Sequence, residues 1–268
     1  MPLNPRDAAR ALYDARRTRT TIAPFTDDDP GLGARDGYAV QQELVSLLLA
    51  DGDRIVGYKA GITSRPMQRL IGVDVPDFAP VFASTLYADR DEIPLSRFIQ
   101  PKVEAEIAFV LGEELAGPGV TVADAYRATA AVVAAVEIVD SRIADWRIKL
   151  ADTVADLASN GALAVASRMV PLHGLDVRLI GMMLTRNGEL VDTGAGAAAL
   201  GDPGSVVAWL ANTLGELGVA LQPGHLVLTG ALHAAVPMAA GDVFRAEFDR
   251  LGSVTVRVTS GATRGSAA

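Results

Sequence analysis

Residues 101–111 read Pro-Lys-Val-Glu-Ala-Glu-Ile-Ala-Phe-Val-Leu, with Gly112 closing the run. The alternation is that of a strand: Val103, Ala105, Ile107 and Phe109 take one face, and Glu104, Glu106, Ala108 and Val110 take the other. Both carboxylates share a face, their Cα atoms roughly 6.6 Å apart, so their side chains can converge on one cation. The same face turns apolar at Ala108 and Val110, which sets the acids at the mouth of a buried layer. Acids in such a place need a partner.

Glu137 joins this pattern. It ends the apolar run 130–136 and is followed by Ile-Val-Asp-Ser-Arg, residues 138–142. An unpaired carboxylate is costly to bury there, whereas a divalent cation shared by several carboxylates offsets that cost. On a strand, Val139 shares the face of Glu137 and Asp140 points away, so Glu137 is the expected ligand and Asp140 a structural partner of Arg142. The competing reading leaves Glu104 and Glu106 on a solvated strand face and Glu137 on a helix surface, since clustered acids are often structural.

The chain has 268 residues, half of them hydrophobic, enough for one large domain or a main domain with a small lobe. Twenty-four basic against 32 acidic residues leave a net charge of −8, and no Lys/Arg cluster is interleaved with aromatics. Nucleic acid is therefore not an expected partner, and small-molecule chemistry is favoured. Without cysteine there is no disulfide, thiolate nucleophile or thiolate metal site, so a metal must be held by oxygen or by few histidines. The N-terminal Met-Pro-Leu-Asn-Pro-Arg-Asp carries no signal-peptide apolar stretch, and no run reaches the length of a bilayer span. A cytoplasmic protein with no membrane role is expected.

Away from the acid strand, Asn4-Pro5 with Asp7 predicts a capped helix with Ala8, Ala11, Leu12 and Ala15 inward. A second helix is expected from about Asp36 to before Gly52, with Tyr38, Leu44, Val45 and Leu48 inward, and the two form a small lobe over residues 1–53. Residues 54–61 read as a short strand carrying Lys59, residues 64–71 as a short helix ended by Gly72, and residues 73–82, with two prolines, as loop. Residues 122–136 read as helix giving way to strand by Val136, residues 145–161 as mixed helix and loop, and 162–166 as an apolar strand. Asn187-Gly188 predicts the turn of a hairpin over 176–192. Asp202-Pro203 opens a helix with the stripe Val206, Val207, Leu210, Leu214 and Leu217, and the tail is strand-rich over 225–230 and 242–258.

Strands that hairpin without regular strand-helix alternation favour an α+β or β-rich domain over a doubly wound sheet. That context sets aside Gly194-Ala-Gly196-Ala-Ala-Ala199 as a dinucleotide-binding turn, because the helix after it starts several residues too late. Lys59, between Tyr58 and Ala60, is either at a strand mouth or desolvated enough for acid-base work, the alternative being a lysine that snorkels to water. Asp77 is a loop acid in Val-Pro-Asp-Phe. His173, His225 and His233 are too scattered for a histidine metal site, and no Gly-x-Ser-x-Gly turn supports a serine hydrolase.

These residues fall into a set of motifs: Val56-Gly-Tyr-Lys-Ala-Gly-Ile-Thr-Ser64 with Met67-Gln68, Gly72-Val-Asp-Val-Pro-Asp-Phe78, Val103-Glu-Ala-Glu-Ile-Ala-Phe109, Glu137-Ile-Val-Asp-Ser-Arg142, Asp152-Thr-Val-Ala-Asp156 and Thr193-Gly-Ala-Gly-Ala-Ala-Ala-Leu-Gly201. Through them nearly the whole chain resembles the 2-keto-4-pentenoate (2-hydroxypenta-2,4-dienoate) hydratases and 4-oxalocrotonate decarboxylases of aromatic meta-cleavage pathways, in the fumarylacetoacetate hydrolase superfamily. Segments 140–149 and 207–214 look closer to the hydratases.

The resemblance implies an α+β fold: a helical N-terminal lobe, a mixed β-roll core of the fumarylacetoacetate hydrolase C-terminal type over residues 54–260, and a frayed tail over 261–268. It implies Mg²⁺ or Mn²⁺ on Glu104, Glu106 and Glu137, acid-base roles for Lys59 and Asp77, a role for Ser159 near the reacting enol, and a homo-oligomer, pentamer or decamer. Arg142, Leu157 and Ala231 are expected at the substrate. Leu157 and Ala231 depart from the family, which usually has Asn after Asp156 and Gly-Ser where this chain has Gly230-Ala231. The implied reaction takes a 2-hydroxy-2,4-dienoate through its 2-oxo-3-enoate tautomer and adds water at C4, giving a 4-hydroxy-2-oxo acid. Alternatives are decarboxylation of 4-oxalocrotonate, C–C hydrolysis of an acylpyruvate, and a metal-binding oligomer without catalysis.

Overall fold

Asn4 accepts a hydrogen bond from the Arg6 N–H and Pro5 enters the first turn, so α1 (Pro5–Thr18) starts where proline's missing N–H costs nothing. The computed structural model describes residues 3–261, apart from the Leu70 side chain, so the expected frayed end lies beyond Gly261 outside the described residues. After the short α2 (Phe25–Asp28) comes α3 (Ala34–Ala50). Ala8, Leu12 and Leu44 of these helices share an apolar cluster with Phe82, Ile143 and Leu157, which fastens them to the sheet-bearing part of the chain.

That part begins with β1 (Ile55–Gly61), α4 (Arg65–Ile71), β2 (Asp77–Phe82), β3 (Leu86–Ala88) and β4 (Glu92–Pro94). The acid strand is β5 (Lys102–Leu111), followed by α5 (Val122–Ala128), β6 (Thr129–Val139), α6 (Leu150–Ala155) and β7 (Asn160–Val165). The hairpin strands β8 (Gly181–Arg186) and β9 (Glu189–Ala195), α7 (Pro203–Glu216), β10 (Leu226–Leu228), β11 (Val236–Pro237), β12 (Val243–Phe248) and β13 (Gly252–Thr259) complete the fold. One sheet runs β2-β1-β10-β5-β6-β7-β3 with β11 beside β5, and the other runs β4-β13-β12-β8-β9. Both are mixed: β1 with β10, β3 with β7 and β4 with β13 are parallel, and the remaining pairs antiparallel.

The alternation in β5 does what its sequence predicts. Val103, Ile107 and Phe109 face the second sheet in one large core with Leu184, Phe244 and Val256. On the other face Ala108 joins Val81, Val133, Ala135, Leu163 and Leu228 in a smaller cluster, and Glu104 and Glu106 continue this face beyond its apolar part.

Local expectation and structure differ where tertiary pairing overrides composition. Residues 77–82, expected as loop for their prolines, form β2. It ends the first sheet, where Pro80 sits opposite Tyr58 and the strand has a neighbour on one side only. The alanine-rich stretch turns from helix to strand at Thr129, earlier than expected, because β6 is central and packed on both sides. The hairpin turn is at Asn187-Gly188, both with positive φ, although β8 starts at Gly181 and β9 runs on to Ala195. Gly194 and Gly196 serve close packing: a Cβ on Gly194 would lie 2.2 Å from Leu232 O, and one on Gly196 1.8 Å from Val177 O.

Gly196→Ala is therefore expected to destabilise the protein by about 1–3 kcal/mol. Gly181→Ala, whose added Cβ meets nothing within 4 Å, costs less than about 1 kcal/mol. Urea unfolding of both variants compares them directly.

Candidate active site

β5 and β6 run antiparallel with Glu104 directly opposite Glu137 and Glu106 opposite Ala135. Like charges directly across a strand pair repel. One carboxylate oxygen from each of Glu104, Glu106 and Glu137 lies within 4.8 Å of the others. Glu106 and Glu137 are 0% exposed and Glu104 is partly buried. The Gly230 N–H donates to Glu106 Oε2 at 2.8 Å, and Asn160 Nδ2 donates to Glu137 Oε1 at 2.9 Å. Glu106 Oε1 and Glu137 Oε2 are buried without a hydrogen-bond partner. Three oxygen-only donors, two of them with an orphaned buried oxygen, fit a hard divalent cation such as Mg²⁺ or Mn²⁺.

One ammonium enters the cluster. Lys59 Nζ stands 3.2 Å from Glu137 Oε1 and donates to Ala158 O at 2.8 Å. Burial lowers its pKa, but Glu137, Asp77, Glu104 and Glu106 more than offset this, so Lys59 stays protonated. Burial, then the charge of Glu137, push the Glu104 carboxyl up to about 7. Burial with Glu137 and Glu104 lifts Glu106 well above the usual carboxylate range. Asp77 also rises through burial, Lys59 pulling it back in part. Asp77 is paired in register with Gly61, and a Cβ on Gly61 would meet Asp77 Oδ1 at 2.3 Å and Lys59 Nζ at 3.5 Å. The missing side chain is what leaves both groups facing the same space.

The third expected catalytic residue arrives on a strained turn. Leu157, Ala158 and Ser159 take φ values of +56°, +48° and +56° in succession. Non-glycine residues adopt this left-handed region at roughly 1–2 kcal/mol each. The turn points Ala158 O at Lys59 and sets Ser159 Oγ 3.3 Å from Thr153 Oγ1.

A cavity of about 310 Å³ opens over these groups, with Lys59, Asp77, Glu104, Glu106 and Ser159 on its surface. Met67, Ile71, Val139, Trp146, Ile148 and Ala231 add an apolar wall. Two of the expected substrate contacts lie elsewhere. Leu157 is 0% exposed in the helical cluster with Leu12 and Ile143, where an apolar side chain is stabilised and a substrate does not reach. Arg142 is buried against Asp156, whose carboxylate accepts from its backbone N–H at 2.8 Å and from its guanidinium. Asp140 is a distant second partner at 3.8 Å and spends its oxygens on the Ile99 and Gln100 N–H groups.

Several residues given no role from the sequence complete the site. Asn160 and Gly230 hold the carboxylates, and Thr63 presents a buried hydroxyl without a partner. His233 Nε2 accepts from the Ala105 N–H at 2.8 Å, pinning its loop to β5 between the stretches paired with β10 and β11. Burial lowers its pKa, in keeping with a neutral ring that accepts at Nε2. A lone histidine or asparagine carries no motif, so only Gly230, beside the unusual Ala231, offered a signal.

The fold and this arrangement define a class: mixed-sheet α+β proteins with a three-carboxylate cluster at a cavity between loops and sheet. Residues 58–259 match the fumarylacetoacetate (FAA) hydrolase C-terminal family, and the chain belongs to it. It is 45% identical over 267 residues to a 2-keto-4-pentenoate hydratase of Paraburkholderia xenovorans, covering 100% of this chain and 99% of that one. With the 2-hydroxyhexa-2,4-dienoate hydratase of Comamonas testosteroni it shares 41% identity over 250 residues, 92% of this chain and 95% of the relative. A 4-oxalocrotonate decarboxylase from Pseudomonas putida G7, solved with magnesium and adipate, superposes with a TM-score of 0.92 at 36% identity over 95% of this chain and 97% of that one.

A carboxyl whose pKa is raised by folding adds stability at low pH and loses it as pH rises through the folded value, here about 7 at Glu104. A bound cation stabilises the buried carboxylates in their ionised form and offsets their mutual repulsion, so the rise in Tm on adding Mg²⁺ is expected to grow from pH 5.5 to about 8, with protons released on binding. Thermal scans with and without Mg²⁺ across this range measure it; a gain independent of pH contradicts the assignment.

Proposed function

We propose that the protein is a divalent-cation-dependent hydratase that converts a 2-hydroxy-2,4-dienoate, through its 2-oxo-3-enoate tautomer, into a 4-hydroxy-2-oxo acid. The observation that carries this reading is the convergence of Lys59 Nζ and Asp77 Oδ1 on the space at Gly61, beside the three glutamates. Likeness to two dienoate hydratases at 45% and 41% identity supports the substrate class.

Glu104, Glu106 and Glu137 would hold Mg²⁺ or Mn²⁺, which when bound supplies Lewis-acid polarisation of the substrate's carboxylate and 2-oxo oxygens. Tautomerisation moves one proton from the enol oxygen to C5. Asp77, buried with an unpartnered oxygen and a raised pKa, is suited to accept a proton, and the Lys59 ammonium facing the same space at Gly61 is the donor within reach of it. Hydration then places hydroxyl on C4 and a proton on C3. Ser159 lies on the cavity surface next to Ala158, whose carbonyl orients Lys59, and can hydrogen-bond the enol. Ala231 and the wall of Met67, Ile71 and Trp146 suit an apolar tail at the far carbon atoms.

Decarboxylation of a 4-oxalocrotonate-type dicarboxylate is the second reading, favoured by the 0.92 TM-score with the decarboxylase. With the hydratase reading goes a cytoplasmic homo-oligomer, pentamer or decamer by family likeness, of the kind that serves meta-cleavage degradation of aromatics. Exposed Leu179, Met183 and Leu190 on and beside the β8–β9 hairpin support a subunit contact.

Purified protein with Mg²⁺ and 2-hydroxypenta-2,4-dienoate should yield a product heavier by one water, and a chelator should abolish it; mass analysis decides. Loss of carbon dioxide from 2-oxo-3-hexenedioate without hydration of the dienoate would replace the hydratase reading by the decarboxylase. Glu106→Gln is expected to weaken Mg²⁺ binding at least about tenfold and to remove turnover while the far-UV spectrum is kept. Lys59→Met should lower kcat by about 10²–10⁴-fold yet retain Mg²⁺ binding in calorimetry, because it removes a positive charge from beside Glu137. Full turnover in either variant would sink the assigned roles.

A further inference from the structure

A second cavity, about 140 Å³, lies where the end of α1 meets the sheet, and it shares no lining residue with the first. Four arginines line it: Arg16 and Arg19 from the end of α1, Arg97 from the segment before β5, and Arg142 after β6. Asp140 is the one acid among the lining residues, and Asp156 stands behind Arg142.

Both acids are already engaged. Asp156 is taken up by Arg142, and Asp140 accepts from the Ile99 N–H at 3.1 Å and the Gln100 N–H at 2.7 Å. Among the described residues Arg16, Arg19 and Arg97 make no ion pair. Arg16 Nη1 reaches Asn160 O at 3.3 Å, and Arg97 uses Nη1 on the Tyr87 hydroxyl and Nη2 on Ser84 O. A guanidinium has five N–H donors, so most of theirs remain free. Four positive charges against two negative ones leave an excess of two, of which the negative end of α1 offsets about half a charge. Burial, and then the charge of Arg142, lower the pKa of Arg16 to about 10, with Asp156 and Asp140 pulling it back only in part.

We propose that this cavity binds a small oxyanion of the phosphate class, which ties the end of α1 to the sheet. The forked guanidinium geometry suits bidentate contact with tetrahedral or planar oxyanions. The floor is Arg142, which is 2% exposed, so the ligand enters a recess too small for a polymer.

The test is titration of inorganic phosphate into the Mg²⁺-loaded protein at constant ionic strength, followed by calorimetry and by Tm. The expected result is saturable binding of one phosphate per chain with a rise in Tm. Arg16→Gln and Arg97→Gln should each raise Kd at least about tenfold, whereas Arg35→Gln, at the exposed start of α3, should not. Glu106→Gln without added cation should keep the response, which separates this site from the glutamate cluster. No saturable binding, binding that survives both arginine variants, or binding lost in Glu106→Gln would overturn the proposal. So would a fall in sedimenting mass of Arg16→Gln together with no phosphate response in the parent, since that assigns the cavity to a carboxylate of a second copy. If Arg16→Gln fails to fold, Arg97→Gln decides alone, because its side chain is exposed.

Discussion

Mutual repulsion of three carboxylates across one strand pair is the constraint on which the rest of this structure depends. At separations of no more than 4.8 Å and an effective dielectric constant of about 20, each ionised pair costs roughly 3 kcal/mol or more. Among the described residues one ammonium, Lys59, comes within salt-bridge distance of the cluster, and it touches only Glu137. The cluster is therefore tolerable in two ways only: with protons on its acids, as the raised pKa values of Glu104 and Glu106 express, or with a divalent cation among them.

The fold supplies rigidity where that repulsion acts. The glutamates stand on β5 and β6, central strands whose opposite face is locked into the two-sheet core by Val103, Ile107 and Phe109. The groups proposed to act on the substrate come from less regular places. Lys59 and Asp77 flank Gly61 at the end of β1, and Ser159 sits on three consecutive left-handed residues. That strain is held by burial on either side: Leu157 is anchored among the N-terminal helices, and Ala158 O is anchored on Lys59. The helical lobe thus contributes to the geometry of the candidate site without touching its cavity.

Opposite charges are partitioned around a single residue. Asn160 donates its side-chain amide to Glu137 and lends its backbone carbonyl to Arg16, so the carboxylate cluster and the arginine cavity lie on its two sides. Each cluster is uncompensated by the protein's own groups, and each accounts for one expected class of ligand, a hard cation and a small oxyanion.

The period-two alternation of residues 101–111, the Asn187-Gly188 turn and the caps at Asn4 and Asp202 were legible because each is a local signal, written in neighbouring residues. So was the grouping of Glu104, Glu106 and Glu137, which follows from side-chain parity on two strands and the cost of burying acids there. Composition misled at β2, where an edge position admits prolines, while Leu157 and Arg142, expected at the substrate alongside the family resemblance, turn their side chains into the helical core and onto Asp156. The contacts of Gly230 and His233 could not be found locally: His233 meets Ala105 across 128 residues of sequence, and Gly230 meets Glu106 across 124. Sequence alone determined which residues carry charge and on which face of a strand they fall, because both are properties of adjacent residues. Which of them meet, which are buried, and which are left without a partner were decided only by the tertiary structure, because desolvation and pairing depend on segments brought together from distant parts of the chain.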